Sequence, residues 1–69
     1  MPQPHLMLLV EGSMHTVQQS LDQYRIRWKM CNAWKKPGYV FVMVEHIYLD
    51  AVNQWLAEDG SLKSFEYFH

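Results

Sequence analysis

Four histidines, one cysteine and a dense run of basic residues are the side chains in this sequence that could do chemistry. His5 and His46 stand at the ends of two apolar stretches that would run antiparallel, with Glu11 and Glu45 as the carboxylates able to join them. A zinc site needs three or four convergent ligands, and the parities of His5 and His46 send them to different faces of a sheet. Surface histidines are therefore expected, and no metal site. Cys31 follows Arg27 and Lys29, whose positive charge would favour a thiolate. No histidine or acid close in sequence completes a nucleophile pair, so a structural cysteine is expected. Glycine-rich phosphate loops, paired-carboxylate motifs and Ser/His/Asp patterns do not occur. The expectation is a non-enzymatic protein with no catalytic residues and no cofactor.

Charge is the chemistry that does concentrate. Five of the six basic residues, Arg25, Arg27, Lys29, Lys35 and Lys36, fall between positions 25 and 36, and no acid occurs between Asp22 and Glu45. The net charge of −1 thus hides a basic segment of +5 against an acidic remainder of −6. Tyr39, Phe41 and Met43 follow directly. Clustered positive charge beside exposed aromatic residues is a footprint for nucleic acid or for an acidic protein surface. The same charges also suit the solvent face and edge of a small hairpin.

These residues must be positioned by very little protein. A chain of 69 residues, 49% hydrophobic, reads as one small domain over residues 1–69. Such a chain buries only about 60% of its extended surface, so its core is thin. One cysteine permits no internal disulfide, which suits a reducing, cytoplasmic compartment. The apolar run Leu6 to Val10 lacks a basic leader and is too short to span a membrane, so neither targeting segment nor membrane association is expected. Aromatic content of 14% and five methionines are generous for this length and point to a surface that another molecule covers.

His5 to Glu11 is apolar on both faces, as in a central strand covered on one side by helices. Ser13 is an N-cap candidate for an amphipathic helix carrying Met14, Val17, Leu21 and Tyr24 at steps of three and four. Arg25 to Trp34 alternates strictly. With Ile26, Trp28 and Met30 on the helix side, Arg25, Arg27, Lys29 and Cys31 fall on the open side; the reverse register is the alternative, since a slip of one residue exchanges the two sets. Pro37-Gly38 marks a turn. In the strand Tyr39 to His46, Val40, Val42 and Val44 face the helices while Tyr39, Phe41, Met43 and Glu45 face away. A second helix is expected with Asp50 as N-cap, Val52, Trp55 and Leu56 inward, and Gly60 at its end. Ser61 to His69 supplies a short last strand. Met14 and Met30 are expected to fill the core, and Met43 to lie on the contact face. The order β-α-β-β-α-β is that of a ferredoxin-like two-layer α+β sandwich, with a four-stranded antiparallel sheet and one helix-free face.

Lys36-Pro37-Gly38-Tyr39-Val40-Phe41-Val42 resembles a segment of the N-terminal domain of NusG-type transcription factors, where a basic connection leads through a Pro-Gly-Tyr-Val run into a sheet strand of a ferredoxin-like fold. That resemblance implies an aromatic patch around Pro37, Gly38 and Tyr39 docking on the clamp helices of RNA polymerase. Gly38, Tyr39, Phe41 and Val42 are also similar to the third-strand motif of RNA-recognition domains, which implies base stacking on sheet aromatics with flanking basic residues on phosphates. The principal expectation is a protein-binding module. Its partner surface would comprise Arg25, Arg27, Lys29, Lys35, Lys36, Pro37, Gly38, Tyr39, Phe41 and Met43. A weak single-stranded RNA or DNA binder, and a homodimer that buries the same face, are the alternatives.

Overall fold

A computed structural model describes residues 4–68. The sequence readings that fall on Met1–Gln3 and His69, an expectation about targeting segments and the last residue of the final strand, lie outside the described residues. The chain runs β1 (His5–Glu11), α1 (Met14–Gln23), β2 (Trp28–Ala33), β3 (Tyr39–Glu45), a short 3₁₀ turn (His46–Tyr48), α2 (Leu49–Glu58) and β4 (Leu62–Phe68). It is an α+β fold with one four-stranded antiparallel sheet in the order β2-β3-β1-β4. The double-sided apolar character of β1 is explained by its central place, between β3 and β4.

Alternation divides the sheet into two faces. Leu6, Leu8 and Val10 on β1, Val40, Val42 and Val44 on β3, Cys31 on β2 and Leu62 on β4 are buried, together with Val17 and Leu21 of α1 and Val52 and Trp55 of α2. Each fully buried aliphatic side chain contributes about 1.5–3 kcal/mol. Trp55, the largest of the fully buried side chains, stacks on Tyr24 with ring centroids 5.9 Å apart, which ties α2 to the end of α1. Among the described residues no helix lies on the opposite face.

The two helices begin and end by different devices. Ser13 caps α1 as its residue type predicts: its hydroxyl accepts from the Thr16 backbone N–H, and the Thr16 hydroxyl accepts from the Ser13 N–H. Gly12, just before, has φ +137°, and a Cβ there would stand 2.8 Å from Thr16 Oγ1. At the other end Arg25 takes the left-handed position, φ 58°, while its N–H bonds to Asp22 O and the Ile26 N–H to Leu21 O. This is a Schellman closure with arginine where glycine is usual, sealed by the contact of two buried residues, Leu21 and Ile26. Asp50 is not the N-cap of α2. The 3₁₀ turn starts the spiral earlier, so Tyr48 holds the cap position and Asp50 falls in the first turn, where its charge suits the helix dipole. Gly60 does not close α2 by left-handed geometry either. Asp59 is already extended, and its carboxylate accepts the Ser61 N–H at 2.9 Å, turning the chain into β4.

The second strand departs most from its alternation. It begins at Trp28, since Arg25 to Arg27 are spent on the helix end and the connection, and its register with β3 shifts between Trp28 and Met30. Lys29 is the extra residue. Trp28 lies opposite Val44, Met30 opposite Met43, and Cys31 opposite Val42. The bulge corrects the sequence reading: Met30 belongs to the open face and Cys31 to the helix side, because one inserted residue exchanges the faces of everything after it. A similar shift opposite Leu9/Val10 lets β4 change register along β1.

Candidate functional site

The helix-free face is a grid whose rows follow from the strand registers. One row crosses the sheet as Met30, Met43, Met7 and Glu66; the next as Asn32, Phe41, Leu9 and Ser64. Trp34 extends β2 by donating its N–H to Tyr39 O at 3.0 Å, which sets up a third row of Trp34, Tyr39 and Glu11. At the far end Glu45 lies opposite His5, and Lys29 reaches Glu45 at 3.8 Å. Three methionines from three strands therefore form one continuous line.

Met7, Leu9, Tyr39, Phe41 and Met43 are half-buried by one another, while Met30 and Trp34 are each 40% exposed. Trp34, Phe41, Leu9, Met7, Ser64, Phe65 and Glu66 line a shallow depression of about 210 Å³. Its walls are apolar side chains with two polar groups at the β4 edge. Methionine side chains conform to irregular surfaces, and aromatic residues supply large contact area. A second depression of about 190 Å³, bordered by Glu11, Thr16, Val17, Ser20, Asp59 and Ser61, is polar.

The residues singled out by sequence are only partly brought together. Tyr39, Phe41 and Met43 share the open face as expected. Lys35, Lys36, Pro37 and Gly38 form the exposed β2–β3 turn at one end of it, where Gly38 has φ +86° and its carbonyl accepts the Gly12 N–H at 2.8 Å. Lys36 Nζ sits 4.8 Å from the centre of the Tyr39 ring, a cation–π contact that uses one stacking surface internally. Arg25 and Arg27 do not join this group. They precede β2 at its other end, and the eight residue steps from Arg27 to Lys35 correspond to about 26 Å of strand. Lys29 reaches the face but is paired with Glu45, both side chains being about half exposed. The +5 segment is thus two separate basic ends rather than one patch.

Met7, Leu9, Met30 and Trp34 were not singled out. Met7 and Leu9 were legible by parity, since Leu6, Leu8 and Val10 cannot face the helices without sending them outward. Met30 was hidden by the bulge. Cys31 is buried 3.8 Å from Met14 Sδ, and burial pushes its thiol above the ordinary value, opposite to the activation that its basic neighbours suggested. His46 packs its ring on Tyr67 at 5.6 Å. Among the described residues no group of three or more His, Cys, Asp or Glu side chains converges as a metal site, and no helix is long and apolar enough to cross a membrane. Comparison with protein-family models and with curated proteins finds no match to this chain.

Proposed function

We propose that this chain is a non-enzymatic, cytoplasmic protein-binding module, built as a ferredoxin-like two-layer sandwich, that docks its helix-free sheet face on a larger protein. The observation that carries the reading is the continuous line Met30, Met43, Met7 beside Phe41, Leu9 and Trp34 on a sheet face without helices. A face of this kind in water is a cost to solubility, and its occupation by a partner removes that cost. The β-α-β-β-α-β order with both helices packed on one side supports the ferredoxin-like assignment. The resemblance of residues 36–42 to NusG-type domains makes RNA polymerase the first partner to try, with Lys35 and Lys36 at the rim.

A single-strand-binding reading draws on Tyr39, Phe41 and Trp34 next to Lys35 and Lys36. It is weaker, because Glu11, Glu45 and Glu66 lie on the same face, and the first two hold Lys63 and Lys29 in ion pairs at 3.7 and 3.8 Å with which phosphates would have to compete. The test is capture on immobilised wild type, on Trp34→Ala/Phe41→Ala and on Lys35→Glu/Lys36→Glu, from a lysate of the source cell and with purified RNA polymerase. The docking reading expects a catch lost in the aromatic variant and weakened in the charge variant. A catch unchanged in both contradicts it. Salt-sensitive binding of a mixed oligonucleotide, abolished in the aromatic variant, would transfer the face to nucleic acid.

A further inference from the structure

We infer that, when no larger partner is bound, the open face is covered by a second copy of this chain, two sheets stacking face to face about a two-fold axis that crosses the strands between the methionine row and the Phe41 row. This rests on the reading that the open face is a protein-docking surface, and it names the occupant of its resting state. The area is sufficient. Four strands of about seven residues, at roughly 4.8 Å per strand and 3.3 Å per residue, project about 450 Å² per copy. Two copies cover about 900 Å² in projection and more with side-chain relief, which reaches the roughly 1,000 Å² that a specific interface needs.

The grid is also self-complementary about that axis. The operation exchanges the two central rows, laying Met43 on the partner's Phe41 and Met7 on the partner's Leu9, so thioether sulfur meets an aromatic ring and apolar meets apolar. It exchanges the outer rows as well. Glu11, which holds Lys63 at 3.7 Å, then meets the partner's His5, and Trp34 meets the partner's Lys29, whose ammonium is already paired with Glu45. No two like charges are placed directly opposite each other; Glu11 comes one strand away from the partner's Glu45, and each of these carboxylates is already paired with a lysine, Lys63 and Lys29. The strands stack antiparallel across the interface, the aligned arrangement that twisted sheets adopt when they pack.

Sedimentation equilibrium at roughly 100 µM, with circular dichroism to verify folding, reads the association well above the micromolar range of a modest interface. Wild type is expected to be a dimer of the 8.3 kDa chain. Met43→Lys and Phe41→Glu should each weaken self-association by at least about thirty-fold, the size of a central hot spot. Mixed in equal amounts, the two variants should form a heterodimer, because the introduced lysine of one faces the introduced glutamate of the other. Met30→Lys with Asn32→Glu, at exposed positions of the same two rows, repeats the pairing test if a central variant unfolds. A wild-type monomer overturns the inference while leaving the docking reading to its own capture test. Dimers unaffected by the single variants, or variants that stay monomeric when mixed, overturn it equally, the first by placing the contact elsewhere and the second by excluding this axis.

Discussion

Met30 stands directly across from Met43 on the face that no helix covers, one residue after the Lys29 bulge. Without that bulge Met30 would point into the core and Cys31 into solvent. A single inserted residue therefore supplies the third methionine of the row and withdraws the thiol from the surface.

Cys31 should accordingly be inert in the folded protein. Alkylation by iodoacetamide at neutral pH is expected to be at least about ten-fold slower than in urea, since burial raises the thiol and shields it. Mass spectrometry over a time course reads this directly. Equal rates in the two conditions would place Cys31 on the open side and undo the bulge.

The two ends of α1 make opposite backbone predictions. Gly12→Ala should destabilise by about 1–3 kcal/mol, because alanine is strained at φ +137° and its Cβ meets Thr16 Oγ1. Arg25→Gly should stabilise by roughly 0.5–1 kcal/mol, because glycine takes the left-handed closure without steric cost. Urea unfolding measures both. Arginine at so unfavourable a position makes Arg25 a residue to test for binding as well as stability.

Asp59 gives the pH dependence. The Ser61 backbone N–H that it accepts holds its carboxyl below the ordinary value of 3.8. A lowered native pKa favours the ionised form in the folded state, so the contribution is complete above the unfolded value and disappears as the pH falls through the lower native one. Asp59→Asn should flatten the acid limb of the stability curve and change it little in slope near neutrality. An acid limb identical to that of wild type would show that the contact does not discriminate between the two protonation states.

Much of this architecture was legible because it depends on period alone. Val40, Val42 and Val44 alternate with Tyr39, Phe41 and Met43, so the two faces of β3 follow from parity once the helices are placed. Ser13 announces α1 because a hydroxyl before an amphipathic run has one favourable use. What could not be read depends on partners distant in sequence. The Lys29 bulge exists only in relation to β3, and the separation of Arg25 and Arg27 from Lys35 and Lys36 exists only once the chain between them is extended. A basic run that looks continuous in one dimension becomes two ends of a strand in three. Trp34 joins the site for the same reason, since it ends the alternating stretch on helix-side parity and is turned to the open face, like Met30, by the Lys29 bulge.

The central claim is that Phe41 belongs to a surface kept for binding and its neighbour Val42 to the core. Capture by Phe41→Glu, its folding verified by urea unfolding beside wild type and Val42→Glu, tests that most directly. The account predicts that Phe41→Glu stays folded, within about 1 kcal/mol of wild type, and loses at least roughly ten-fold of the captured partner, while Val42→Glu unfolds. A folded Phe41→Glu that captures its partner as well as wild type does would contradict it.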